Sequence, residues 1–301
     1  MRKYTHNTAF IIPTKDRPDD LRKLLASLER QTCPVCQLII VDGSDNSIEY
    51  LLSDYPKLQI DYKIVRPPGL TRQRNEGMKM LRAEIDLVGY LDDDLVLEDD
   101  AVENLHEFWE AAGDDVGGAS FNIVNNISSR FNWFTYIFDM NKGKQGVVLK
   151  SGYNVVLFPV EQDTRVEWLC GGATIWRRGV IDEYKYDETI SGFGYYDDVD
   201  YSLTVNKKYK LFMMAGSRVY HFPPQRKGRD QFKVARSIVI NRYILVRKHK
   251  ELSLLHFYWA VLGQIIVYTL LGIIRLNKER LLKASGVIAG IIWVLRGKDI
   301  H

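Results

Sequence analysis

The sequence predicts an α/β protein with a mixed, mainly parallel sheet, flanking helices and a C-terminal helical tail. Two observations carry this. Through the first hundred residues short apolar runs alternate with amphipathic segments, the pattern of βα units that feed parallel strands. Near the C-terminus, residues 254–274 carry no formal charge and lie between two basic clusters.

Each element has its own signal. Residues 9–12, AFII, read as the first strand. Asp16-Arg17-Pro18-Asp19-Asp20 then starts a helix, in which Leu21, Leu24, Leu25 and Leu28 recur at helical spacing. QLIIVD, 37–42, is the second strand, closed by the turn formers Gly43 and Ser44. IDYKIV, 60–65, is the third. Thr71 is placed to cap a helix over 71–82, and DLVGYL, 86–91, forms a fourth strand that delivers Asp92, Asp93 and Asp94 to its carboxyl end. A further helix starts after Asp99 and Asp100, with Val102, Leu105, Phe108 and Trp109 facing inward. From 113 to 224 the chain becomes less regular and richer in Gly, Asn and aromatic residues.

Composition narrows the function. With 301 residues, 46% of them hydrophobic, the chain can bury a large core. Lys plus Arg (41) nearly balance Asp plus Glu (38), giving a net charge of +3, which excludes a global polycation of the kind that coats nucleic acid. The three cysteines are too few for a disulfide framework and fit a reducing compartment. Cys33-Pro-Val-Cys36 lacks a second ligand pair and does not open a helix, so it reads as a loop rather than a zinc or redox site. The N-terminal apolar run is cut by Pro13, and no signal peptide is expected.

Three adjacent aspartates after an apolar strand repel one another, so a positive partner is expected there. Asp-x-Asp at a strand end suits Mg²⁺ or Mn²⁺, which takes one or two carboxylates plus phosphate oxygens of a substrate. Asp42 also ends a strand, where an acidic residue commonly bonds a ribose or base. Arg72, Arg74 and Asn75 sit on the helix before the Asp strand, and an Arg fork suits phosphate. After the first strand the chain reads PTKDRP, without the G-x-G-x-x-G loop that a nicotinamide dinucleotide requires.

Six segments in order, FIIPTKDRPDDL, LERQTCPVCQLIIVDGSDN, LTRQRNEGMK, YLDDDLVLEDD, WLCGGATIWRRG and SGFGYYDDVDYSLTV, resemble the inverting family 2 glycosyltransferases with the Rossmann-like GT-A fold. The resemblance implies a catalytic domain over 1–225, with a nucleotide-binding half (1–112) and an acceptor-facing half (113–225), followed by the helical region 226–301. It implies that Pro13, Thr14, Asp16 and Arg17 line the donor pocket with Asp42, Arg72, Arg74, Asn75, Asp92 and Asp93. Asp94 and Asp92 would hold Mn²⁺ or Mg²⁺, with His221 as a third ligand. Trp168, Gly171, Gly172 and Tyr196 would face the sugar or acceptor, and Gly192 and Gly194 would let backbone approach it closely. Trp176 reads as core. In YYDDVDYS, Asp198 takes the position of the base that removes the acceptor hydroxyl's proton, with Asp197 beside it and Asp200 trailing.

The tail completes the expectation. Residues 254–274 are long enough to cross a bilayer. Arg247, Lys248 and Lys250 on one side and Arg275, Lys278, Arg280 and Lys283 on the other oppose a single span, because one cluster would lie outside. A second apolar run, 281–295, is short for a return. Helices lying in the cytoplasmic leaflet are therefore expected; a helical hairpin packed on the catalytic domain is the alternative. The function expected is metal-dependent transfer from a nucleotide-diphosphate sugar to a saccharide or lipid-linked acceptor in cell-surface glycan synthesis, at the cytoplasmic face of the membrane. A sugar nucleotidyltransferase and a non-catalytic glycan-binding relative are the rivals.

Overall fold

The computed structural model describes residues 4–126, 131–190, 195–223 and 230–297. The chain divides into two compact units, each assembled from three segments: 1–127, 157–187 and 201–224 in the first, and 128–156, 188–200 and 225–301 in the second. The basic and apolar C-terminal region thus shares its unit with two earlier stretches.

The first unit is an α/β layer structure. Its sheet, nine-stranded among the described residues, begins with β1 (Thr8–Thr14), β2 (Gln37–Asp42), β3 (Ile60–Ile64) and β4 (Leu87–Leu91), and continues through β5 (Leu95–Leu97), β6 (Val116–Ile123), β7 (Thr164–Val166), β8 (Ala173–Arg177) and β9 (Lys210–His221). The spatial order is β3-β2-β1-β4-β8-β6-β9-β5, with β7 on β9. β3, β2, β1 and β4 are mutually parallel, whereas β8 runs antiparallel to β4 and β6. Every residue of β1, β2 and β4 is buried, which explains their unbroken apolar runs: a parallel sheet is covered on both faces.

The helices of this unit follow from patterning, with two departures. In α1 (Pro18–Glu29), Pro18 opens the helix and Leu21, Leu24, Leu25 and Leu28 are buried. α2 (Leu70–Met78) starts after Gly69, not at a Thr71 cap, and ends before 82; Thr71 lies inside its first turn, buried. In α3 (Ala101–Ala111), His106 joins Val102, Leu105 and Trp109 in the core while Phe108 is only half-buried. Trp176 is core, its indole N–H bonded to Thr174 Oγ1 at 3.0 Å. Cys33 and Cys36 are free thiols in the α1–β2 connection.

Four helices, α4 (Trp133–Ile137), α5 (Arg178–Glu183), α6 (Asp197–Val205) and α7 (Gln231–Lys248), lead to α8 (Leu254–Ile274) and α9 (Lys278–Leu295). α5 belongs to the first unit and α4, α7, α8 and α9 to the second, while α6 starts in the second and ends in the first. α7, α8 and α9 share a core of Ala235, Val239, Val246, Phe257, Val261 and Val287. The approach is closest at Gly286, where an added Cβ would stand 2.3 Å from the Phe232 carbonyl oxygen.

Candidate active site

Parallel register sets the site. Thr14 at the end of β1 lies level with Asp42 at the end of β2, and β4 runs beside β1 with Ile11 opposite Tyr90, so Asp92, Asp93 and Asp94 emerge at the same carboxyl edge. In open α/β sheets ligands bind beyond that edge.

Each of the three aspartates meets a different basic side chain. Arg74 Nη2, on α2, lies 3.5 Å from Asp92 Oδ1; Arg17 Nη1, just before α1, lies 2.9 Å from Asp93 Oδ1; His221 Nε2, at the end of β9, lies 3.2 Å from Asp94 Oδ1. Arg17 also reaches Asp94 Oδ2 at 3.4 Å, and the Thr14 hydroxyl donates to Asp93 Oδ2 at 2.7 Å. Mutual repulsion among the aspartates is thereby offset by charges from three separate elements.

The protonation pattern follows. Burial pushes Asp93 up to about 6, against the lowering effects of Arg17 and Thr14. Burial also acts on Asp94, but the His221 hydrogen bond and the charges of His221 and Arg17 outweigh it and hold Asp94 below its ordinary value. His221 is raised, first by its hydrogen bond to Asp94 and against its own burial. Each group thus favours the charged form of the other.

The remaining expected donor residues are placed as follows. Asp42 is fully buried and both its oxygens are engaged: Oδ1 accepts from Ser44 N at 2.7 Å, and Oδ2 accepts from the Tyr62 hydroxyl and from Ile48 N at 3.3 Å. It shapes the loop after β2. Pro13 is buried in β1. Asp16 is exposed, holds a left-handed φ of 54° and ties that loop through Asp45 N at 3.0 Å. Arg72 is half-buried on α2, with its guanidinium toward the Pro67 carbonyl. Asn75 clasps the backbone of Tyr186 with both amide atoms, at 3.2 and 3.3 Å. Arg74 is buried between the rings of Tyr90 and Tyr186, 5.7 and 5.1 Å from their centroids.

Gly172 lies against the aspartates: its carbonyl accepts from Asp92 N at 2.8 Å, and an added Cβ would stand 2.1 Å from Asp92 Oδ2. Gly171 and Trp168 are buried beside it in sequence. Sequence reasoning missed Gln73, Tyr62 and Arg66. Gln73 donates to the carbonyls of Thr14 and Val41 at 2.9 and 2.7 Å and so fastens α2 over the strand ends. Arg66 reaches the Asp42 and Ser44 carbonyls. A buried polar side chain on a helix whose neighbours are charged carries no periodic signal that could have revealed it.

A divalent cation is tested by the donor set. Among the described residues no group of three His, Cys, Asp or Glu side chains converges as a formed metal cage. The chemistry of the donors nevertheless fits a hard cation: Asp94 Oδ1 is buried with His221 Nε2, a metal-ligating nitrogen when neutral, 3.2 Å away, and Asp92 lies two residues along the chain. Asp94, Asp92 and a neutral His221 would hold the ion.

In the second unit, Asp197, Asp198 and Asp200 occupy the first turn of α6, where the helix dipole favours carboxylates. Asp198 Oδ1 accepts from Val199 N at 2.8 Å. Asp200 is buried and accepts from Lys248 Nζ at 2.7 Å, with His249 Nε2 at 2.8 Å. Tyr196, at a left-handed φ of 73°, is buried, and burial raises its phenol, with Arg242 beside it acting in the opposite sense. Gly192 and Gly194 lie outside the described residues.

A sheet edge that gathers carboxylates and basic side chains beyond the ends of parallel strands is the ligand-binding edge of an open α/β fold. The chain belongs to glycosyl transferase family 2, whose profile matches residues 9–162, and it is a glycosyltransferase of that family. Its fold is similar to that of the mannosyltransferase PcManGT from Pyrobaculum calidifontis in complex with GDP-Man and Mn²⁺ (12% identity, TM-score 0.59, covering 99% of this chain and 92% of that one). It is also similar to S. aureus TarS 1-349 in complex with UDP (14% identity, TM-score 0.52, 96% and 92%). The chain spans 43% of the longer S. aureus TarS structure, at 13% identity and a TM-score of 0.52 over 88% of its own length. Comparison with curated proteins returned no match.

Proposed function

We propose that the protein is a metal-dependent inverting glycosyltransferase that moves a sugar from a nucleotide-diphosphate sugar to a saccharide or lipid-linked acceptor in cell-surface glycan synthesis, at the cytoplasmic face of the membrane. The observation that carries this reading is the Asp92-Asp93-Asp94 cluster at the sheet's carboxyl edge, matched by Arg74, Arg17 and His221. Arg74 and Arg17 would offer positive charge to a diphosphate there.

Asp94, Asp92 and His221 would hold a divalent cation, which when bound supplies charge neutralisation for a departing diphosphate. The fold similarity to proteins crystallised with GDP-Man and Mn²⁺, or with UDP, agrees with such a donor. Arg17 and Arg74 offer planar donors to phosphate oxygens. Asp198 removes the acceptor hydroxyl's proton as that oxygen attacks the anomeric carbon from the face opposite the leaving group, so the configuration inverts. The nucleotidyltransferase rival lacks its Gly-rich loop after β1, where the chain reads PTKDRP.

The membrane reading draws on the second unit. Among the described residues α8 is the one helix long and apolar enough to cross a membrane. One stripe of it, Phe257, Ala260, Val261 and Gln264, is buried, while Leu255, Trp259, Leu262, Leu270, Ile273 and Ile274 are exposed. On α9, Leu282, Ile288, Ile292 and Leu295 are exposed as well. A helix with one face held in a bundle and the other bare suits burial in a leaflet rather than a lone span. The test of the activity is product analysis with a panel of nucleotide sugars. Metal-dependent release of nucleoside diphosphate with an inverted glycoside is expected; release of pyrophosphate, or no turnover with any donor, contradicts the reading.

A further inference from the structure

A cavity lies among the helices of the second unit. It has a volume of about 240 Å³ and is walled by three helical stripes: Gln231, Val234, Ala235 and Ile238 of α7, Gln264 and Tyr268 of α8, and Lys283 and Val287 of α9, with Tyr195 at one side. These residues recur at i, i+3, i+4 and i+7, so each helix turns a single face to the space.

Its chemistry is donor-rich. Lys283 is half-buried, and among the described residues no carboxylate lies at ion-pair distance from it. Gln264 is buried, and its Oε1 accepts from Arg242 Nη2 at 2.9 Å. That bond turns the amide N–H₂ away from Arg242, leaving two donors without a protein acceptor among the described residues. Behind it Arg242 is fully buried, stacked on the Tyr153 ring at 4.1 Å and near Phe257 at 5.3 Å. It has the rings and phenol groups of Tyr153 and Tyr196 where a buried cation ordinarily has a carboxylate. One cation and an amide around a space walled by Val234, Ala235, Ile238 and Val287 call for an anion with an apolar body. The space, about 240 Å³, has room for a phosphate with a few methylenes.

We infer that this cavity binds the phosphate group and adjoining chain of an anionic lipid, gripped by Lys283 and Gln264. The inference rests on the membrane reading above and adds to it a defined lipid site, distinct from the diffuse attraction of basic flanks. The exposed apolar residues of α8 and α9 supply the surrounding leaflet contact.

The test uses the full chain and monomeric dihexanoyl phosphatidic acid, with inorganic phosphate as a second ligand, measured by calorimetry. Losing one charge-assisted hydrogen bond should weaken the lipid phosphate roughly 10- to 100-fold in Lys283→Met. Lys283→Arg should restore part of the affinity, Lys278→Met on the same helix outside the cavity should not change it, and Ala235→Leu should lower it by filling the space. Unaltered binding in Lys283→Met, an equal loss in Lys278→Met, no binding by the parent chain, or equal affinity for inorganic phosphate would each overturn the inference. Sedimentation with phosphatidylcholine vesicles, with and without phosphatidic acid, separates the two readings. A chain that ignores both vesicles refutes the membrane reading, while the monomeric lipid still decides the cavity.

Discussion

Replacing Gly172 by alanine places a methyl group 2.1 Å from Asp92 Oδ2, 2.4 Å from its Cγ and 3.0 Å from Oδ1. The carboxylate must swing away. Because the Asp92 side chain is 37% exposed, it can do so without opening the core, at the cost of an off-rotamer χ1 of about 0.5–1.5 kcal/mol. That corresponds to a melting shift of at most about 6 °C for a chain of this size. The functional effect should be larger. Asp92 leaves Arg74 and its proposed place toward the cation, and displacement of a metal-site group lowers metal affinity roughly 10- to 100-fold. Titration of UDP and GDP with and without Mn²⁺ measures it, with melting recorded alongside. Gly179→Ala is the control: its new Cβ meets nothing within 4 Å, and in a helix alanine is favoured over glycine by about 0.5–1 kcal/mol. Unchanged Mn²⁺-dependent affinity in Gly172→Ala, with melting also unchanged, would refute the placement of Asp92 in the site.

Three further outcomes are expected. Asp198→Asn keeps size but cannot accept the proton, so transfer should fall by roughly 10² to 10⁴ with donor affinity unaltered; an active Asp198→Asn beside an inactive Asp197→Asn would move the base by one residue. Phe257→Ala empties the centre of the α7–α8–α9 core and should cost about 3–5 kcal/mol in denaturant unfolding, and a near-neutral result would mean that these helices do not share a cooperative core. His106 is held below 6.5 by burial and by the charge of His6, against Glu110. The unfolded chain therefore takes up its proton first as pH falls, so stability should decline as pH drops through 6.5 toward the folded value. His106→Gln should flatten that decline, and an identical pH dependence in the variant would contradict the assignment.

Strands β1, β2 and β4 were legible because a buried parallel strand is an unbroken apolar run, and Ala9–Ile12, Gln37–Asp42 and the run before Asp92 are of that kind; β3, only half-buried, shows alternation instead. β6 and β8 carry no such local signal; long-range pairing decides those strands. At the site, the demand for positive charge opposite Asp92, Asp93 and Asp94 could be read from repulsion alone. That the partners are Arg74, Arg17 and His221, one each from α2, the turn before α1 and the end of β9, could not, because topology brings them together from 18, 76 and 127 residues away. The tail's length and charge were plain in sequence. That one face of α8 packs on α7 and α9 required the positions of Phe257 and Val261 in the bundle.

The most direct measurement is calorimetric titration of Asp94→Ala with UDP and GDP in the presence and absence of Mn²⁺. Asp94 is buried, and His221 Nε2 lies 3.2 Å from its Oδ1. The parent chain should bind nucleoside diphosphate in a metal-dependent manner, and the variant should lose that dependence by roughly 100-fold while still folding. A folded Asp94→Ala that keeps the parent's Mn²⁺-dependent affinity would contradict the assignment of this sheet edge as the donor site.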